Sequence, residues 1–362
     1  MNDSKAQCGF DHLKHCTRCV LPETYPGISF DDAGVCNRCR RYNPAARKPL
    51  GEEALRMVVE EFKGKGTAYE ALSALSGGRD STYALYYAVR KLGLRMLAFT
   101  VDNGFIPDET WENIRNATRM LGVDHITIKH DHLKKSIRPV LSAWCKKPSA
   151  AMVTFLCLGC RLGLQKAFLE VSRKYRIPLC ISGGGEPEEY FADAFFTTSS
   201  GRLRRTVEMA TGVGLELLRN PRYLLSPFVP LRMFMEFLYN FAPLGFVRRR
   251  LNPSWQYLEL FRYLGYHENH VVDVITNELG WKKYHHSAAS WRSDCKINLL
   301  KNACYQRTLG FTKNDELVSG MVRRGSMTRE QALRRLDRDN CIPEEFLAEF
   351  FAELGLRRPE SW

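Results

Sequence analysis

The run Ser76-Gly77-Gly78-Arg79-Asp80-Ser81 packs two glycines, two hydroxyls and a carboxylate into six consecutive positions. Paired glycines let a backbone turn tightly and approach an anion, and the N–H groups and dipole of a helix starting there point at that anion. Ser76 and Ser81 can donate to phosphate oxygens, while Asp80 can cap the helix or help to hold Mg²⁺. Thiols offer a second chemistry. Cys16-Thr-Arg-Cys19 and Cys36-Asn-Arg-Cys39 are CxxC pairs separated by 16 residues, a spacing that suits four thiolates around one structural Zn²⁺. Cys8, His12 and His15 are near enough in sequence to act as substitutes. A third pair, Cys157-Leu-Gly-Cys160, stands just before a helical stretch at 161–175, where a helix start is expected to lower a thiol pKa and favour metal or redox chemistry. Two ligands leave a site incomplete. Cys295 is the expected third, with Cys304 next, and three thiolates can hold a [4Fe–4S] cluster with one open iron. The plainer alternatives are a turn between strand and helix for the glycines and a packed thiol pair for Cys157 and Cys160.

These residues need a frame, and the middle of the chain supplies one. Short apolar runs at 69–75, 95–102, 125–131 and 177–182 read as buried strands, with helical patterns at 81–93 and 109–122 between them. Such alternation predicts βαβ units, a parallel sheet with helices on both faces, and a ligand crevice at the carboxyl ends of the strands. The expected organisation is a four-cysteine zinc-binding segment at 1–50, the α/β domain at 51–200, and a mostly helical substrate or partner region at 201–362. In the last region Ser326 or Thr328 can cap a helix. The chain has 362 residues and a formal charge of +13, which suits polyanionic partners such as nucleotides, nucleotide sugars or RNA. A polar opening without a signal peptide leads us to expect a cytoplasmic protein, in which twelve cysteines argue for metal ligation over a disulfide framework. The most apolar stretch, 223–246, holds Pro227, Pro230, Arg232, Glu236 and Pro243, so no membrane span is expected there, but a buried or substrate-lining helical element.

Neither a Walker A loop nor a dinucleotide fingerprint occurs at the glycine pair. The pattern SGGxDS resembles the PP-loop of the N-type ATP pyrophosphatases, in which Arg79 occupies a variable position. That resemblance implies ATP and Mg²⁺ as cofactors, Asp80 and Ser81 as catalytic residues, and Ser76, Gly77, Gly78 and Arg79 at the phosphates. It also places Asp102 and Asn103, in the loop after the second strand, at the adenosine. Nearly the whole chain, the region after residue 195 least, is similar to the N-acetyl sugar amidotransferases of lipopolysaccharide biosynthesis, the WbpG/PseA-like branch of the PP-loop enzymes. The likeness rests on the opening CTRCVLPETYPGISFDDAGVCNRC, on SGGRDS, on CLGC at 157–160, on GGGEPEEY at 183–190, which adds Gly184 and Glu186 to the expected nucleotide contacts, and on NELGWKKY at 277–284.

The implied reaction is activation of an amide. The acetamido oxygen attacks the ATP α-phosphate, pyrophosphate leaves, and ammonia then displaces AMP to give an acetamidino group. Position 2 is not the cysteine that an N-terminal-nucleophile glutaminase requires, so a separate glutaminase subunit is expected to supply the ammonia. The rival enzymatic reading is thiolation of tRNA or a small molecule, with Cys157 and Cys160 as catalytic residues and sulfur delivered from a cluster or a cysteine persulfide. A non-catalytic nucleotide sensor is the third class, and an intact Gly-Gly-x-Asp-Ser speaks against it.

Overall fold

The computed structural model describes residues 13–44, 48–65, 68–129, 131–184, 195–197, 201–240 and 256–360. Five strands form one parallel sheet: β1 (Ala71–Ala74), β2 (Met96–Asp102), β3 (Asp124–Lys129), β4 (Leu179–Ser182) and β5 (Gln256–Glu259), in the order β3-β2-β1-β4-β5. Four of them fall on the runs read from sequence. The fifth comes from 256–259, so the sheet draws on chain well beyond residue 200, and the boundary expected there does not close the α/β unit. β1 is buried on both faces, as the centre of a parallel sheet must be. The edge strand β3 alternates between exposed and half-buried positions.

Helices cover both faces. α1 (Asn37–Arg40) belongs to the cysteine-rich segment, and α2 (Glu52–Glu60), α3 (Arg79–Arg90) and α4 (Asp108–Leu121) follow it. Leu85, Ala88 and Ile114 from α3 and α4 join Leu75, Met96 and Ile181 in the core of one face. α5 (His132–Lys146) and a 3₁₀ turn at Ala151–Cys157 lead into α6 (Cys160–Tyr175), whose Ala167 and Val171 pack on Leu72, Leu97 and Phe99 at the opposite face. Beyond β4 come α7 (Arg202–Arg219), a 3₁₀ turn at Pro221–Leu224, and α8 (Phe228–Asn240). After β5 the chain forms α9 (Leu260–Leu264), α10 (Glu268–Leu279), α11 (Lys296–Leu309), α12 (Lys313–Arg323), α13 (Arg329–Asp339) and α14 (Glu344–Glu353). Val271 and Ile275 of α10 share the α3 core, whereas α11 and α14 share a larger core with α5 and the cysteine-rich segment.

Local chemistry accounts for the ends of these elements. α4 stops at Gly122, in the left-handed region at φ 65°, and both α12 and α13 begin in capping boxes, Thr312 with Asp315 and Thr328 with Gln331. β1 and β4 share two register pairs, Ala71 with Leu179 and Leu72 with Cys180. The chain order reverses between those two strands, which places a crevice at their carboxyl ends. The glycine loop leaves β1 there. No single helix among the described residues is long and apolar enough to cross a membrane.

Candidate active site and metal centre

The glycine loop is held from behind. The Gly77 carbonyl accepts hydrogen bonds from Trp281 Nε1 at 3.0 Å and Asn113 Nδ2 at 3.3 Å, and Gly77 itself takes φ 76°, which a side chain would strain. A Cβ there would also lie 2.7 Å from the Thr110 carbonyl oxygen. Gly78 is the N-cap of α3 and provides no side-chain cap, so the first-turn N–H groups keep their capacity for a ligand. Ser76 and Ser81 stand 3.0 Å apart, Oγ to Oγ, across the mouth of the loop, with the Ser81 hydroxyl donating to the Gly78 carbonyl at 3.1 Å. β4 closes the other side: a Cβ on Gly183 would fall inside van der Waals contact with the Asp80 carbonyl and 2.9 Å from Ser81 N.

Two loop residues have partners that the motif alone does not show. The Arg79 guanidinium is buried and turned away from the loop mouth into an ion-pair cluster, donating to Asp80 Oδ1 at 2.9 Å, to Ser290 Oγ at 2.9 Å and to the Glu268 carboxylate. It was expected among the phosphate ligands, and here its guanidinium is engaged by Asp80, Ser290 and Glu268. Asp80 also accepts from Tyr266 Oη at 2.8 Å, while its side chain remains 32% exposed. Asp294 was not singled out from sequence, yet its Cγ lies 3.1 Å from where a Cβ on Gly78 would sit.

The segment holding Asp294 leads directly to the thiols. Asn103 Nδ2 donates to Cys160 Sγ and to Cys295 Sγ, both at 3.7 Å, while its Oδ1 accepts from Phe105 N at 2.9 Å. The expected third cysteine is thereby brought to the CxxC pair, and Asn103, expected at the adenosine, faces sulfur. Asp102 Oδ1 accepts from Gly104 N at 2.8 Å in the turn before it. Cys157 Sγ accepts from the buried Lys301 Nζ at 3.6 Å, and Gly159 N donates to Glu236 Oε1 at 2.7 Å. Lys301 and Glu236 were missed, though Glu236 is the one acidic residue in the apolar stretch at 223–246. The lowered pKa expected from helix position is not found for Cys160. Burial first, then the neighbouring Cys157, pushes its thiol up to about 11, and Cys295 is raised by burial in the same way. Cys304 is fully buried and strongly raised by desolvation. Gly184 N donates to Ser182 Oγ at 3.3 Å and its carbonyl accepts from Phe261 N at 3.0 Å, so it joins β4 to α9. Glu186, Cys8 and His12 lie outside the described residues.

Cys16, Cys19, Cys36 and Cys39 are all buried, with sulfurs within 4.8 Å of one another. The Cys16–Cys39 and Cys19–Cys36 separations are 3.9 and 3.8 Å. A tetrahedron with metal–sulfur bonds of about 2.3 Å has edges of about 3.8 Å, so the set fits one tetrahedral ion. Hydrogen bonds from Cys19 and then Cys39 pull the Cys36 thiol below its ordinary pKa, while hydrogen bonds with Cys19 and Cys36 raise Cys39, as in a set that shares its protons. Among the described residues, Cys157, Cys160 and Cys295 do not form such a tight set.

No family model matches the chain. It is 30% identical over 122 residues to the uncharacterized protein MJ1599 of Methanocaldococcus jannaschii, a match that takes in 32% of this chain and 43% of that protein. The chain thus spans under half the length of that relative. Among solved structures, it is similar to an NMN synthetase from Francisella tularensis (14% identity, TM-score 0.37, 89% of this chain and 100% of that one). It is also similar to an NH₃-dependent NAD synthetase from Campylobacter jejuni subsp. jejuni NCTC 11168 (13% identity, TM-score 0.26, 63% and 89%). Scores this low leave the reading of the site to the chain's own geometry.

Proposed function

We propose that this chain is an ATP-dependent, AMP- and pyrophosphate-forming amidotransferase acting on the N-acetyl group of a nucleotide sugar in surface polysaccharide biosynthesis. The supporting observation is the glycine loop, rigidly backed at the carboxyl end of β1, with its serine hydroxyls and the α3 N-terminus at the β1–β4 crevice. Its N–H groups receive the phosphates, and the Ser76 and Ser81 hydroxyls donate to phosphate oxygens. The carboxylates of Asp80 and Asp294 would hold Mg²⁺, which when bound neutralises charge on the phosphates. The acetamido oxygen displaces pyrophosphate from the α-phosphorus and the nitrogen proton is lost, leaving an O-adenylyl imidate. Ammonia then adds to the imidate carbon and AMP departs with the former amide oxygen. Adenylation is needed because that oxygen is otherwise a poor leaving group, and the protein contributes chiefly alignment and charge stabilisation. A separate glutaminase subunit supplies the ammonia, and the four-cysteine set holds Zn²⁺ as a structural ion.

The approach of Cys160 and Cys295 to Asn103, with Cys157 held by Lys301, supports a second reading, sulfur transfer to tRNA or a small molecule. In that case the trio holds a [4Fe–4S] cluster, which would supply a binding site for sulfide. One experiment separates the two. Pyrophosphate release is measured with ATP, Mg²⁺ and a panel of nucleotide-linked N-acetyl sugars, with ammonium or sulfide as the second substrate. The amidotransferase reading predicts release followed by an ammonium-dependent amidine product; Asp80→Ala or Ser81→Ala abolishes release, with Ser81→Ala melting near the wild type and Asp80→Ala lower, because Asp80 also pairs with the buried Arg79. A product formed only with sulfide establishes the second reading. Normal turnover by the Asp80 variant overturns the loop assignment itself.

A further inference from the structure

Of the fifteen large hydrophobic side chains exposed among the described residues, ten fall between 203 and 235, so exposure is concentrated and not scattered. On α7, Leu203, Val207, Leu215 and Leu218 recur at helical spacing, with Leu203 and Leu218 each 80% exposed. On α8 the inner positions Val229 and Met233 are buried, while Phe228, Leu231 and Met235 face outward at i, i+3 and i+7. Leu225, 82% exposed, stands between the two helices. These helices are apolar on two sides, and the protein's core accounts for one of them.

The charge around this face is net basic: on α7 Glu208 and Glu216 are paired with Arg204 and Arg219 at 3.5 and 3.4 Å, and further arginines and lysines outnumber them. Arg219, Arg222 and Arg232 lie along 217–235, which contains no acidic residue, and the next acid, Glu236, is turned inward to Gly159 N. α5 packs against both the 221–224 turn and α8, and its sequence HLKKSIRPVLSAWCK is also free of Asp and Glu. The carboxyl end of α5 meets the α7–turn junction directly: Asn220 Nδ2 donates to the Ala143 carbonyl at 2.8 Å, and Lys147 Nζ to the Arg219 carbonyl at 3.0 Å. Exposed Lys147 therefore stands at the junction of α7 with the 221–224 turn, with exposed Lys146 next to it in sequence.

We propose that this face of α7, the 221–224 turn and α8 rests on an anionic lipid surface. Apolar side chains with a net basic border, whose two α7 acids are neutralised by arginines on the same helix, match the acyl–headgroup boundary of such a bilayer, with the helices lying in its plane and not crossing it. A second copy of the chain would bring arginines and lysines against their own kind across a two-fold interface, which the charge distribution disfavours.

The test is co-sedimentation of the full-length protein with vesicles of phosphatidylglycerol and phosphatidylcholine, or of phosphatidylcholine alone, at low and high salt. Binding to the anionic vesicles with release at high salt is expected. Leu225→Glu combined with Phe228→Glu should abolish it, and Arg222→Ala should weaken it about fivefold. All three positions are solvent-exposed, so circular dichroism and melting temperature should stay unchanged. Failure of the wild type to bind anionic vesicles overturns the proposal, as does equal binding by the double variant. A self-association that the double variant abolishes, seen by sedimentation equilibrium without vesicle binding, would assign the face to a second copy and overturn it too.

Discussion

Arg79 is the residue where motif and structure diverge. It sits inside the glycine loop, yet its guanidinium is buried with Glu268, which also accepts from Arg335 Nη1 at 2.6 Å and Nη2 at 2.9 Å. Burial pushes the Glu268 carboxyl up, but hydrogen bonds from Arg335 and the charges of Arg79 and Arg335 outweigh it and hold the pKa below the ordinary glutamate value. A depressed folded-state pKa contributes stability that is present above the unfolded value and lost as pH falls through the folded one. Glu268→Gln is therefore expected to cost about 3–5 kcal/mol near neutrality, because it leaves two buried guanidinium groups short of a charge. The gap to wild type should narrow as pH falls below about 4.3. Urea denaturation from pH 7 to pH 3 measures this, and a pH-independent gap would refute the assignment. Residue types were legible for Ser76, Ser81 and the cysteines because their spacing is local. The partners of Arg79 were not, since Glu268, Ser290 and Arg335 come from distant chain and no local pattern encodes them.

At the level of elements, the loop depends on how closely β4 approaches α3. Gly183 closes that approach, and its lack of a Cβ is what allows the end of β4 to lie against the first turn of α3. Gly183→Ala must push backbone against backbone, with no flexible side chain to yield. We expect destabilisation of about 1–3 kcal/mol, together with a marked rise in the ATP dissociation constant from displacement of Asp80 and Ser81. Calorimetric titration of ATP beside thermal melting checks both, and unchanged ATP affinity would show that α3 is not held by this contact. Four strands and the helices α3, α4 and α13 could be read in advance because apolar periodicity and caps are local signals. β5 could not: Gln256–Glu259 is four residues with one buried side chain, Leu258, and its strand character comes from pairing with β4. The apolar stretch at 223–246 was expected to be buried or to line a substrate, but the described part of α8 turns one apolar side outward.

Across the whole molecule, the cysteine-rich segment acts as a clasp between the two ends of the chain. Arg329 Nε donates to the carbonyls of both Cys16 and Cys19 at 3.1 Å, Tyr25 Oη to Glu316 Oε1 at 2.7 Å, and Thr24 Oγ1 to the Leu309 carbonyl at 2.6 Å. Those partners belong to α11, α12 and α13, and α11 is the helix that has Cys295 as its N-cap and carries Lys301 beside Cys157. A metal at the four-cysteine set thus supports, through the far end of α11, the helix that frames the thiol trio. Removing it should open the segment locally while the parallel sheet persists on its own core. Chelation at neutral pH, or Cys19→Ala, is expected to accelerate proteolytic cleavage within 13–44, each tenfold increase corresponding to about 1.4 kcal/mol of local stability. A lower melting temperature should accompany it, and returning Zn²⁺ should reverse the effect in the chelated protein but not in the variant. Cleavage unchanged by chelation in a protein shown to have lost its metal would mean that the clasp is held by its hydrogen bonds to α11–α13 alone, and the thiol trio would then be independent of the ion.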